Sequence, residues 1–348
     1  MQVTIASVTA TPERPRDIVY DTHPFDIVGI GASTLDRFVM VKAFPTGREV
    51  QEAVMTAVDG GGPVATALAT AGKYGLDTVM IDVIGDDIGG THILDDFDYY
   101  NVETSHIESA RDSKSASATI LVNEKTGDRA IFFERSTAPE LESLDKHKAC
   151  IEGGHILHIN GRHRKCLIEA MTICKQSGNL VSLDGGANRY DEGLKDITRA
   201  SDIVIVARDY AEEYTGTKDL EEACRIIHER GAYIAGVTDG AEGSYFVWPD
   251  GTFYRCPAFP QYTVLDTTGA GDSFHGAFLT VIAKTIRNMR VECEGRRSAR
   301  EVLLDCSNTI FESAADFASA VASLNTQRLG GRSGLPSLED AVALANSR

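Results

Sequence analysis

Short apolar runs recur along this chain, separated by stretches in which apolar residues return every three or four positions. That alternation limits what the chain can fold into. Phe25-Asp26-Ile27-Val28-Gly29-Ile30-Gly31 reads as a short buried strand with a glycine exit, and Thr78–Val83, His155–Ile159, Leu180–Leu183, Asp202–Val206 and Tyr233–Val237 follow the same form. Val64–Tyr74, Arg164–Gln176 and Leu220–Arg230 carry helical spacing between them. Strands alternating with helices imply βαβ units, hence an α/β fold with a mainly parallel sheet covered by helices on both faces. In such sheets function gathers at the carboxyl ends of the strands.

Two regions break this rhythm, about 37–58 and 104–137. In the second, Ala118-Thr119-Ile120-Leu121-Val122 and Ala130-Ile131-Phe132-Phe133 alternate with a period of two around a turn at Lys125-Thr126-Gly127-Asp128, the pattern of a hairpin. Together the two regions are expected to form a small β lid outside the main sheet. Residues 1–23, with two prolines and mixed charge, read as an N-terminal extension, which leaves 24–348 as one domain.

Composition excludes some partners. Lys and Arg number 34 against 51 Asp and Glu, a formal charge of −17. Binding a nucleic-acid backbone needs a basic face, so no such partner is expected. No apolar run is long enough for a membrane span. Seven scattered cysteines without a C-x-x-C pair suggest reduced thiols and a cytoplasmic location. The nine histidines show no metal-site spacing, and Gly72-Lys73-Tyr74 is not a Walker A loop.

The segment richest in chemistry is Asp266-Thr267-Thr268-Gly269-Ala270-Gly271-Asp272-Ser273-Phe274, which follows the extended-looking run Tyr262–Leu265. Beyond Ser273, apolar residues recur at helical spacing, so the turn opens a helix. A helix start presents unpaired N–H donors and a positive dipole end, which attract anions. Gly269, Ala270 and Gly271 leave the backbone open to a phosphate, and Asp272 in the first helical turn is placed to take a proton from an attacking hydroxyl. Phosphoryl transfer needs little more than such positioning and charge neutralisation.

Asp266–Phe274 resembles the C-terminal signature of the ribokinase-like (PfkB) family of carbohydrate kinases, and other segments match in order from Phe25 to Leu338. Gly29–Asp36 resembles the first strand with its sugar-binding aspartate, Gly60-Gly61-Gly62-Pro63 the N-terminal glycine signature, Ile84–Gly89 the G-D-D-x-x-G, and Val237–Gly243 the nucleotide loop. The resemblance implies a ribokinase-like fold and ATP-dependent phosphorylation of a primary hydroxyl of a sugar or polyol. It further implies Mg2+, a monovalent cation held by the loop Arg328–Pro336, and a homodimer formed through the lids.

By the same resemblance, Asp272 is the base and Gly269–Gly271 the anion hole. Asp36, Gly61, Gly62 and Thr66 would bind the sugar, although the family more often has asparagine at Thr66. Thr238, Gly240, Gly243 and Thr267 would bind the nucleotide. The family's N-x-x-E should fall near Ala207–Tyr210, where neither residue is in register, so the metal ligands are unassigned; Asp209 and Glu212 are the alternatives. Asp184-Gly185-Gly186-Ala187-Asn188-Arg189 is similar to a stretched D-P-N-x-R. The closest pattern within the family is the sulfofructose kinase branch, whose sulfonate-binding arginine matches Arg162. Val50 and Phe133 replace that branch's lysine and asparagine. The rivals are a non-catalytic sugar-binding relative and, prompted by Gly29-Ile30-Gly31, a dinucleotide-dependent oxidoreductase. Thr34 stands where the latter needs a third glycine.

Overall fold

The computed structural model describes residues 23–259 and 263–348. The N-terminal extension, His23 apart, and Tyr262 lie outside them. Along the chain run β1 (Phe25–Ile30), β2 (Thr34–Val41), β3 (Met55–Gly61), β4 (Thr78–Gly85), β5 (Val102–Glu103), β6 (Ile107–Ala110), β7 (Ala116–Asn123) and β8 (Arg129–Glu134). Then follow β9 (Gly154–Ile159), β10 (Leu180–Gly185), β11 (Ile203–Ala207), β12 (Ile234–Thr238), β13 (Ser244–Val247) and β14 (Phe253–Cys256).

The main sheet has the order β14-β13-β12-β11-β10-β9-β1-β4-β5, with β6 also on β4. It is parallel from β12 to β5, and only the edge strands β13 and β14 run antiparallel. Its strands are buried on both sides, and alternate residues feed two separate cores. Ile27, Ile156, Ile203, Ile205 and Ile234 pack under helices Pro63–Lys73, Ala270–Glu292 and Asn308–Asn325. Val28, Leu157, Val204, Val206 and Val237 point the other way, toward helices Arg164–Gln176, Arg208–Thr215 and Leu220–Glu229. This period of two explains why the strands read as unbroken apolar runs.

A second sheet, β3-β2-β7-β8, stands beside the first. Here β2 is parallel to β7, and β7 forms the antiparallel hairpin with β8, Leu121 opposite Ala130. Phe38, Met40, Ile120, Val122 and Leu329 form its own small core. The sheet draws less from 104–137 than the period-two pattern suggested, because β6 pairs with β4 in the main sheet. A second difference concerns the segment before the phosphate turn. Thr263–Leu265 is not a strand; Leu265 and Asp266 instead donate their N–H groups to Thr326 O, at 2.8 and 3.1 Å.

Phe278, fully buried on helix Ala270–Glu292, stacks on Phe246 with centroids 5.6 Å apart. Phe278→Ala should cost about 3–5 kcal/mol of stability, read as a lowered midpoint in urea unfolding.

Candidate active site

The carboxyl ends of the parallel strands and one end of the second sheet converge on a cleft. Helix Ala270–Glu292 opens onto it. Gly269 caps that helix at φ 72°, in the left-handed region, and a β-carbon there would lie 2.3 Å from Gly331 O; both conditions demand glycine. Ala270 N reaches Thr267 O at 3.3 Å and Ser273 N reaches Gly269 O at 2.8 Å. The N–H groups of Gly271 and Asp272 are left for a ligand, and the space beside Gly271 is open.

Asp272 is half-buried in the first turn of this helix. Burial, then the neighbouring Asp184 charge, pushes its carboxyl up to about 6, against the pull of Arg189 and Arg332. A carboxylate so poised is anionic at neutral pH yet basic enough to share a proton in a transition state.

Asp36 approaches from the second sheet. It sits on β2 opposite Asp59 of β3, and Thr34 Oγ1 donates to it at 2.8 Å. Burial raises its pKa too, Thr34 opposing. A β-carbon on Gly61 would lie 2.1 Å from the Asp36 carboxylate, so glycine makes room for it. Gly62, at φ 94°, begins helix Pro63–Lys73.

Thr66 is 1% exposed, and its hydroxyl accepts a hydrogen bond from Arg332 Nε at 3.0 Å. The sequence reading placed it on the sugar; the structure places it on this arginine. Arg162 carries an ion pair with Glu140 at 2.7 Å. Thr238 ends β12, Gly240 follows it at φ 52° with open space around it, and the carbonyl of Gly243 accepts from Asp239 N at 2.8 Å. Thr267 Oγ1 accepts from Arg129 of β8 at 2.8 Å.

Several residues escaped the sequence reading. Arg129 reaches across from the second sheet to the phosphate turn and touches Thr268 as well, at 3.4 Å. Arg332 is 2% exposed and bonds Asp96, Thr66 and Gly61 O, while its backbone N–H donates to Asp59. Arg332 stood in the loop Arg328–Pro336 without a role of its own, and Arg129 carried only its place two residues after Gly127. Where an N-x-x-E was sought, Ala207 and Tyr210 stand, and Arg208 pairs with Asp239. Asp209 accepts from Asn188 N at 2.5 Å and Glu212 lies 3.7 Å from Arg208, so both alternatives for metal ligation are engaged.

A glycine-capped helix with open amides, a raised carboxyl in its first turn and a second buried carboxylate on β2 give this cleft both anion donors and a proton acceptor. The pfkB family carbohydrate kinase model matches residues 25–338. The chain belongs to that family. This pfkB kinase is similar to the ribokinase of Staphylococcus aureus, 25% identical over 328 residues that span 90% of this chain and 97% of the relative. Its similarity to a bifunctional ribokinase/ribose-5-phosphate isomerase A from Fructilactobacillus sanfranciscensis, 25% identical, covers 76% of this chain but half of that longer protein. In three dimensions it matches Arabidopsis thaliana ribokinase complexed with ribose and ATP at a TM-score of 0.71 and 21% identity, over 92% of this chain and 99% of the other. The ribokinase-like fold and the sugar-kinase class are therefore established. All seven cysteines are free thiols, and among the described residues no helix is long and apolar enough to cross a membrane.

A carboxyl with its pKa near 6 can accept a proton only when deprotonated, and lower pH removes that capacity. For this pfkB kinase kcat/KM should therefore fall as pH drops through about 6, measured in a coupled ADP assay with enzyme shown to stay folded across the range.

Proposed function

We propose that the chain transfers the γ-phosphoryl group of ATP to a primary hydroxyl of an uncharged sugar or polyol, a ketose being the leading class. The observation that carries the reading is Asp272, half-buried with a raised pKa in the helix turn whose amides are free. Asp272 takes the proton of the hydroxyl, its oxygen bonds to the γ-phosphorus, and the bond to the β–γ bridging oxygen breaks to release ADP. The N–H groups of Gly271 and Asp272 hold the developing negative charge. Arg129, hydrogen-bonded to two neutral hydroxyls, adds a cation from the second sheet, which acts as the lid.

Asp36 accepts hydrogen bonds from other hydroxyls of the sugar, and Gly61 lets them come close. Thr238, Gly240 and Gly243 border the nucleotide, where the open side of Gly240 fits a close-lying ligand. Mg2+ would neutralise charge on the triphosphate. The carboxylates at 209, 212 and 239 all meet protein partners, so none of them stands as a ready ligand for the ion.

A neutral substrate is favoured over a sulfonated one by the residues at the expected anion pocket. Arg162 is neutralised by Glu140, and Val50 and Phe133 are exposed apolar residues where donors would be required. Val58, Ile131, Phe132 and Phe133 expose apolar surface on the second sheet, which supports a homodimer through the lids. Light scattering should give twice the chain mass, and a strict monomer would remove that part of the proposal.

The catalytic reading is tested with Asp272→Asn, expected to keep fold and ATP binding while losing roughly 100- to 10,000-fold in kcat. Undiminished turnover would overturn it. A panel of ketoses, aldoses, polyols and sulfofructose, followed by ADP release, should show preference for a neutral acceptor. Preference for sulfofructose would reverse the substrate assignment.

A further inference from the structure

Near the base lies a polar cluster that takes no direct part in the transfer proposed above. His158 of β9, Asp184 of β10 and His275 of helix Ala270–Glu292 are 0%, 3% and 4% exposed. One ligand atom from each lies within 4.8 Å of the others. His158 Nε2, Asp184 Oδ2 and His275 Nδ1 are buried without a hydrogen-bond partner. An unpartnered buried polar atom on each of three neighbouring side chains is costly unless something satisfies it.

The geometry points to a metal. His158 Nδ1 is 3.2 Å from Ser182 Oγ, which fixes the ring and leaves Nε2 as the unpartnered nitrogen. A ligating imidazole is oriented in this way through its other nitrogen. His275 Nε2 and Asp184 Oδ1 stand 3.4 Å apart. That is long for a hydrogen bond, so this contact does not satisfy the pair.

We propose that His158, Asp184 and His275 form a zinc site, with water as the fourth ligand. Two imidazoles and one carboxylate suit Zn2+, or Co2+ as its substitute, and suit the all-oxygen preference of Mg2+ poorly. The ion is thus separate from any carried by ATP. It would tie the start of the helix, where Asp272 lies three residues before His275, to two strands of the main sheet. The assignment stands whatever sugar the enzyme accepts.

The test uses the full chain, stripped with chelator and dialysed against micromolar Zn2+ in millimolar Mg2+. Elemental analysis should find one zinc per chain, and Co2+ in its place should give the visible bands of a four-coordinate site. His158→Gln and His275→Gln should each abolish both signals. Ser182→Ala, which keeps all three ligands, should weaken affinity roughly 10- to 100-fold. Wild-type chain that holds no zinc under these conditions overturns the proposal, as does zinc retained undiminished by folded His158→Gln. If the histidine variants fail to fold, the wild-type Co2+ spectrum and Ser182→Ala decide: an octahedral spectrum or unchanged affinity counts against the site.

Discussion

One buried cation holds the two sides of the cleft in register. Arg332 is removed from water, so its charge must be met by good hydrogen bonds or it would destabilise the fold. Its guanidinium bonds Asp96 on helix Ile88–Tyr99, Thr66 on helix Pro63–Lys73 and the carbonyl of Gly61 on β3, and it lies 5.5 Å from the centre of the Phe97 ring. Its own backbone N–H donates to Asp59 at 3.0 Å, and Ser333 adds two more donors to that carboxylate. Gly330 N donates to Asp266, and Gly331 lies against Gly269. The sugar side of the cleft and the phosphate side are thus both referenced to one short loop.

The same arginine shapes the electrostatics. It pulls the pKa of Asp272 and Asp36 down while burial pushes both up. Asp184 adds a like charge near the base, and Arg189 offsets it. A carboxylate left to burial alone would be protonated at neutral pH and useless as a base; one beside two unopposed cations would be too weak. The cleft balances these influences around Asp272, an arrangement expected where a proton must be taken and then released.

Much of this was legible in the chain itself. The alternation of strand and helix, the hairpin turning at Lys125–Asp128 and the phosphate turn opening a helix are all set by local patterns. What escaped depends on contacts between distant segments. Nothing near Arg332 in the sequence points to Asp59 or Asp96, and nothing links His158 to Asp184 and His275. Thr66 and Arg162, expected at the substrate, also meet Arg332 and Glu140, partners far away in the sequence. β6 lies within a stretch that breaks the βαβ rhythm, but pairing with β4 draws it into the main sheet.

The parallel pairing of β2 with β7 bears on how the molecule is made. The two strands are separated in sequence by β3 to β6 and two helices, so β2 must wait for β7 before both its edges are covered. Asp59 waits longer still, since Arg332 lies 273 residues further on. On a ribosome the sugar side of the cleft would emerge early with its carboxylates unmatched, and the loop that neutralises them would arrive after almost every other element. A nascent chain can thus bury most of its apolar surface before its cleft is assembled.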